Sequence, residues 1–544
     1  MKATFISKMD EQKQGEHVHQ PAKEQKSSWE HFLEQKSTLI AFAVILLAFY
    51  LRFKFMNVNT GLWWDEADYL GLAKKFWLGI PHEAASWRAY GSGLVLGFFY
   101  YIGAGEWMVR FVGVIISTLG VYSAYLFGKQ FYNKFVGIVA AALMSAAWID
   151  LFWSARISMN IYALTMWAFS AYFFWRGYVE NRGMKYVIAA AAIAAYGIFV
   201  YESIGFIYIF FFLYLILTER LSFFKDKRIW IALLVTAIIF SGFFAYNLKT
   251  FGNIYPRIFT HYNTLLLSKD VKQNELQIKL AQGYNYKGVL ADFFVFWTKM
   301  PELLTWPVFA MVILGLAYFV DIFLGFDLFL KKKASLEMKK NLYIFLWVLV
   351  HLVIFGLHKV FTTMYYEPLY IIPMIPGLYI IAGLGVYKGY ELVSKYHKLA
   401  AMVFVAAIVI FAFNTQYTYA KNLINSKKDT YAMQREAGEW LKANTIKGDV
   451  VGGCLMGVPF SYYSERAIKG VAGTNYTLFM DKVKKYHPKF VVLDVYEPSG
   501  CPFNEVLSQQ EMFKPVQVFF LNGNQQQPVE IILQPNYDAA ELKN

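Results

Sequence analysis

Between residues 38 and 417 the chain carries eleven apolar stretches, each bounded by charged or turn residues. They lie near 38–55, 107–128, 135–152, 159–175, 187–200, 203–217, 230–248, 304–330, 342–358, 369–387 and 399–417. Crossing a hydrocarbon core of about 30 Å takes a helix of about twenty apolar residues, and inside that core the backbone must pair its own N–H and C=O groups. Such a series prescribes a bundle of membrane-spanning helices, the fifth and sixth being the shortest. Composition agrees: 57% of the 544 residues are hydrophobic and 17% charged, against roughly 45–50% and about 25% in soluble domains. With 50 Phe, 39 Tyr and 15 Trp, the chain is also far too apolar to stay disordered.

Sidedness follows from Lys and Arg, which collect in cytoplasmic loops. With the N-terminus inside, the short inner loops 129–134, 176–186, 218–229, 331–341 and 388–398 hold 17 Lys and Arg in 51 residues. The short outer loops 153–158, 200–203 and 359–367 hold 2 in 19. Residues 1–37 are polar, mix Lys with Glu and lack the early apolar core of a cleavable signal, so a cytoplasmic tail is expected. Tyr90–Ala104 is apolar but spans only about 22 Å as a helix, and counting it as a crossing would turn every inner loop outward. It is read as a helix lying in the outer interface, with Gly91, Gly93 and Gly97 permitting close packing. Ahead of it, Tyr69, Leu70, Leu72, Ala73, Phe76 and Trp77 share a helical face opposite Asp68, Lys74 and Lys75, a second interfacial helix.

This layout predicts a transmembrane domain over 38–428 with large outer loops at 56–106 and 249–303, and an extracytoplasmic domain over 429–544. The last segment has the pattern of a small α/β domain: a helix-like run at Ala432–Asn444 and strand-like runs at Asp449–Leu455, Phe490–Val495 and Glu530–Leu533. Its 11 basic and 13 acidic groups leave 41 basic and 25 acidic groups to the first 428 residues, so the net charge of +14 belongs to the membrane part and no nucleic-acid partner is implied. The run Gly452–Gly457 lacks the lysine and spacing of a phosphate loop and reads as a strand end. Cys454 and Cys501 match no zinc or redox motif; an oxidising compartment permits their pairing, which spacing neither requires nor excludes.

Ionisable groups held against a membrane are the place to look for chemistry. Trp63-Trp64-Asp65-Glu66 opens the first interfacial helix. In one account Asp65 caps that helix, Glu66 complements its dipole and the tryptophans anchor at the interface. In the other, a carboxylate at the lipid–water boundary takes a proton from an acceptor hydroxyl while a reactive electrophile arrives from the bilayer.

Several features in order make the chain resemble the lipid-dependent glycosyltransferases, the family that includes protein O-mannosyltransferases and the aminoarabinose transferases acting on lipid A. They are Asp65-Glu66 just after the first span, Glu106-Trp107-x-x-Arg110 entering the second, Ser154-Ala155-Arg156 before the fourth, and Tyr370-x-x-Pro373-x-x-Pro376 in the tenth. The resemblance covers roughly residues 38–420, and the segment from Glu439-Trp440-Leu441-Lys442 to Tyr462-Tyr463-Ser464-Glu465-Arg466 is similar to the outer domain of many members. It implies the C-type glycosyltransferase fold and a sugar carried on a polyprenyl monophosphate, transferred with inversion on the outer face to a protein, glycolipid or cell-surface glycan. Asp65 matches the family's catalytic position, and Glu66 would orient the acceptor or support Asp65.

Arg88 sits where members carry a basic residue, and an arginine fork suits a phosphate; a side chain snorkelling to the headgroups is the other account. Arg156 is the second phosphate candidate, set against a structural pair with Asp150. Tyr365, Tyr366 and Glu367 stand before the tenth span, as donor-pocket lining or as interfacial anchors. The chain departs from the family pattern in Ser86-Trp87-Arg88-Ala89-Tyr90, which lacks prolines, in Asn160 where some members have aspartate, and in Leu369 where an arginine often stands. No cofactor is required by this chemistry; a divalent cation held by His82, Glu83 and His261 is a further option. The competing class is a secondary transporter, although no internal repeat is evident and the long outer loops suit a surface enzyme. A receptor anchored by its spans ranks last.

Overall fold

The computed structural model describes residues 28–82, 88–254, 285–320, 335–361, 366–454, 457–473, 475–495, 501–521 and 527–539, with Ile322 and Gly325. Its helices run in the order α1 (Ser28–Phe55), α2 (Trp64–Leu78), α3 (Gly91–Tyr101), α4 (Gly105–Phe131), α5 (Lys134–Ser145), α6 (Trp148–Ser154), α7 (Met159–Phe174) and α8 (Met184–Val200). There follow α9 (Phe206–Glu219), α10 (Lys227–Phe251), α11 (Tyr286–Thr298), α12 (Met300–Leu316), α13 (Leu336–Phe361), α14 (Ile375–Ser394) and α15 (Lys398–Lys427). Among the described residues eight helices are long and apolar enough to cross a membrane, and nine when a bent pair counts as one span. The chain is thus a multi-pass membrane protein.

Each expected stretch coincides with helix over its described residues, which for the eighth, 304–330, are 304–320 and Ile322, with Gly325 in a turn. The third is the bent pair α5 and α6, the fourth is α7 continued by a π-helical turn over Trp175–Val179, and the fifth is the shorter apolar helix α8. Helix α11, inside the 249–303 loop, was not expected.

Loops expected on one side meet one another. On the basic side, Gln130 donates to Glu180, Arg176 pairs with Glu180 and donates to Gln130, Arg228 reaches the carbonyls of Gly177 and Tyr178, and Lys340 reaches those of Gln130 and Phe131. On the other side, Asn59 donates to Ala155 O at 2.7 Å, Glu66 accepts from the Ile157 N–H at 2.8 Å, and Tyr196 donates to Gly91 O at 2.7 Å.

Two helices are broken inside the bundle, and each break is repaired by side chains from elsewhere, as an apolar interior demands. Between α5 and α6 the axis turns by 56°, freeing the Ser145 carbonyl. Arg52, fully buried, donates to it at 3.1 Å, bonds Ser117 Oγ at 2.5 Å and pairs with the equally buried Asp150, which also accepts from Ser117 at 2.9 Å. In α12, Pro307 has no N–H for Leu303 O, and Thr305 adopts φ 58°. Trp148 Nε1 donates to Leu303 O at 2.7 Å. Gln416 on α15 closes both breaks: its amide nitrogen donates to Leu304 O, while its oxygen accepts from the Trp148 N–H at 2.8 Å.

Helices α2 and α3 pack along their lengths, and the three glycines expected to allow close packing do so, Gly93 and Gly97 against α2 and Gly91 against α8. A Cβ at Gly97 would lie 2.7 Å from Ala73 O and inside the Trp77 ring, one at Gly93 would press on Phe76, and one at Gly91 would press on the Phe199 carbonyl. Gly97→Leu should therefore lower stability by about 1–3 kcal/mol, read as an earlier thermal transition in detergent, whereas the same change at Gly103, which faces open space but at φ 77°, strains only its own turn.

The C-terminal region holds helices α16 (Ala432–Asn444), α17 (Val458–Ser464), α18 (Tyr476–Tyr486) and α19 (Phe503–Ser508). Strands β1 (Val450–Gly453), β2 (Ala467–Gly470), β3 (Phe490–Asp494), β4 (Phe513–Phe520) and β5 (Pro528–Pro535) form one sheet in the order β2-β1-β3-β5-β4. β1 is parallel to β2 and β3, and β5 runs antiparallel to β3 and β4. The expected helix and three strands are present; β2 and β4 are additional, short or broken by a bulge. Gly452 and Gly453 end β1, as expected, and Cys454 is disulfide-bonded to Cys501.

Candidate active site

Helix α2 starts at an extended Trp63. Asp65 does not cap it. Glu66 reaches back to accept from the Trp63 N–H at 2.6 Å, and its other oxygen takes the Ile157 N–H. Both oxygens of Glu66 thus serve the backbone, and the residue is buried between Arg156 and Arg110, so its carboxylate ties α2 to the loop before α7. Burial raises its pKa; the two arginines and the two backbone bonds oppose that rise.

With Glu66 turned inward, Asp65 projects outward, its side chain 68% exposed. It pairs with Arg88 Nη2, while Arg88 Nε donates to Asp68 at 2.5 Å and the guanidinium lies 5.2 Å from the Tyr69 ring centre. Burial opposes the charge on Arg88, but Tyr69, Asp65 and Asp68 outweigh it and the pKa rises. Glu367 is exposed and near enough to Asp65 that burial and the Asp65 charge together raise its pKa. Tyr366 packs on Phe296 with its hydroxyl buried and without a hydrogen-bond partner among the described residues. Tyr365 lies outside the described residues, as do Glu83 and His261.

Arg156 does not pair with Asp150, which belongs to Arg52. Its guanidinium stacks 3.6 Å from the Trp63 ring centre and donates through Nη2 to Lys427 O at 3.1 Å. Its Nε and Nη1 are buried without hydrogen-bond partners among the described residues. Burial lowers its pKa to about 10, against the pull of Glu66. Arg110 pairs with Glu106 at 2.8 Å, one turn apart on α4.

Asp68 and Lys74, read from sequence as the polar face of α2, are buried. Asp68 is held by His82 and Arg88, whereas the cover of Lys74 is α17 and the residue after it, nearly four hundred residues along the chain. Lys74 Nζ bonds Tyr462 O at 3.2 Å and Glu465 at 2.9 Å and sits 4.0 Å over the Tyr462 ring, and Leu62 N–H donates to Tyr463 OH. His82 is likewise buried, with Nε2 on Asp68 and Nδ1 on Ser461. Both ring nitrogens being engaged, His82 offers no metal ligand in this arrangement, and no cluster of three or more metal-ligating side chains occurs among the described residues. The only prior signal was the position of Asp68, one helical turn after Asp65.

The arrangement sets an exposed carboxylate against a buried guanidinium, with a second guanidinium behind a tryptophan. That is a pairing of a proton acceptor with anion donors.

Residues 89–246 match the family model described as dolichyl-phosphate-mannose-protein mannosyltransferase. No curated protein matches the chain in sequence. In structure it is similar to ArnT from Cupriavidus metallidurans bound to undecaprenyl phosphate, at 12% identity and a TM-score of 0.61, over 92% of this chain and 98% of that one. It is similar also to the Archaeoglobus fulgidus oligosaccharyltransferase tethered to an acceptor peptide containing the NVT sequon, at 13% identity and 0.59, over 94% and 78%. The archaeal oligosaccharyltransferase AglB from Archaeoglobus fulgidus, in complex with an inhibitory peptide and a dolichol-phosphate, matches at 14% and 0.56, over 84% and 69%. Residues 89–246 therefore carry the sequence pattern of the dolichyl-phosphate-mannose-protein mannosyltransferase family, within a chain that has, over most of its length, the C-type fold of the lipid-dependent glycosyltransferases.

Proposed function

We propose that the protein is an integral membrane glycosyltransferase that moves a hexosyl or pentosyl group from a polyprenyl-phosphate donor to an acceptor hydroxyl or amine on the outer face, with inversion. The observation that carries this reading is the exposed Asp65 carboxylate held on Arg88, within the fold shared with proteins crystallised with polyprenyl phosphates.

In the reaction the acceptor attacks the anomeric carbon, the bond from that carbon to the phosphate oxygen breaks, and the acceptor proton passes to Asp65. The lipid phosphate leaves as a stable anion, so it needs cations more than an acid. Arg88 supplies the first. Asp68 fixes its Nε, and the Nη2 contact exchanges from Asp65 to the incoming phosphate, which frees Asp65 at the moment a base is required. Arg156 is the second cation, and Tyr366 and Glu367 flank the donor. Glu66 supports Asp65 by pinning the turn on which it stands. The C-terminal α/β region lies on the outer side, over α2, and contributes to acceptor selection.

Release of polyprenyl phosphate from a panel of polyprenyl-phosphate sugars, with candidate acceptors present, tests the reading. Turnover of one donor supports it and names the sugar; solute uptake by reconstituted vesicles without any turnover would favour a transporter. Arg88→Gln should raise the donor KM roughly 10–100-fold, as loss of a charge-assisted phosphate contact and its orientation implies, with a smaller change in kcat.

A further inference from the structure

One face of α2 is shaped to hold a histidine. Asp68, Gly71 and Lys75 stand at i, i+3 and i+7, in line along the helix. Asp68 Oδ1 bonds His82 Nε2 at 2.9 Å, Lys75 Nζ donates to the His82 carbonyl at 3.0 Å, and a Cβ at Gly71 would fall within the imidazole ring. A glycine in the middle of a helix costs roughly 0.5–1 kcal/mol relative to alanine, so the vacancy is made at the expense of the helix itself. The His82 side chain is 2% exposed and that of Asp68 3%. A carboxylate accepts only, so His82 Nε2 carries the proton, and Nδ1 faces Ser461 Oγ on α17 at 3.3 Å. The second oxygen of Asp68 holds Arg88 Nε at 2.5 Å. An unbroken series thus runs from α17 through Ser461, His82 and Asp68 to the guanidinium that faces Asp65.

We propose that Asp68 and His82 are positioning residues that hold the Arg88 guanidinium in its phosphate-binding orientation, and that Ser461 makes this orientation depend on the seating of the C-terminal region against α2. The inference rests on the reading of Arg88 as a phosphate ligand. Neither residue reaches the outer surface where the donor would lie; their effect passes through Arg88.

The test is equilibrium binding of undecaprenyl phosphate to the purified full-length protein, which requires neither the sugar nor the acceptor to be known. His82→Ala and Asp68→Asn should each weaken binding about tenfold through misplacement of one ligand. His82→Gln, which restores a donor to Asp68, should recover most of the loss. In an Arg88→Gln background none of these changes should weaken binding further, since the residue they position is gone; a purely structural role would add its loss there too. Ser461→Ala, a lighter change for use if the others fail to fold, should weaken binding about two- to threefold with Arg88 present and not in its absence. Binding unchanged by these substitutions, or losses that add to that of Arg88→Gln, would overturn the positioning role alone. Wild type that binds no undecaprenyl phosphate would overturn the functional reading and this inference with it.

Discussion

Asp65→Asn should abolish turnover, with kcat falling by about 10²–10⁴, the range general-base catalysis supplies. The substitution keeps the shape and removes the basicity. Because the side chain is 68% exposed and contacts Arg88 at the edge of the site, little packing is lost, and the thermal transition should stay within about 0.5 kcal/mol of wild type in stability. Binding of the lipid phosphate should persist or tighten, since Arg88 no longer shares its charge with a carboxylate. Measuring release of polyprenyl phosphate beside binding separates the two effects. An asparagine variant that turns over at the wild-type rate would remove Asp65 as the base while leaving the enzyme class intact.

The second large effect is on stability. Asp150→Ala should cost about 3–5 kcal/mol, because it leaves the Arg52 guanidinium charged and uncompensated in the bundle interior. Both side chains are fully buried and share Ser117 as a common partner. Arg52→Met with Asp150→Leu should recover much of the loss, since apolar replacement of a buried pair is often near neutral. Recovery has a limit here: Arg52 also serves the Ser145 carbonyl at the α5–α6 bend, and methionine cannot. Unfolding followed by helical signal in a denaturing detergent titration compares the three.

Much of this architecture was legible because membrane spans are written locally. Length and hydropathy located the apolar helices, eight or nine of which among the described residues are long and apolar enough to cross a membrane, and the Lys and Arg counts sorted their connecting loops into the two groups that meet in the structure. Gly91, Gly93 and Gly97 announced the close packing of α3, against α8 for the first and α2 for the other two, for a similar reason, a close approach needing small residues wherever it occurs. What escaped was non-local. Lys74 looks like part of a solvated helix face until Tyr462 on α17 and the adjoining Glu465 are brought over it by the fold, and Asp68 does so until His82, itself backed by Ser461 on α17, is folded onto it. Glu66 and Asp65 are adjacent and chemically alike, yet one is buried on two backbone N–H groups and the other is exposed. Only the closeness of the 155–158 loop decides which is which. The pairing of Asp150 with Arg52 rather than Arg156 likewise depends on how α1 packs against the bend.

Gln416 also sets an order of events during synthesis. It sits on α15, the last of the apolar helices to leave the ribosome, yet it supplies the partners for the Trp148 N–H and the Leu304 carbonyl at breaks in two helices made earlier. Until α15 is in place, the Trp148 N–H and the Leu304 carbonyl lack these partners, a state that costs roughly 1–3 kcal/mol per buried group. The bundle is therefore latched from its C-terminal end. The α/β region that covers α2 is translated directly behind that latch, so it arrives at a scaffold already closed. A chain truncated before residue 416 would lack this fastening and should be held open for quality control in the membrane.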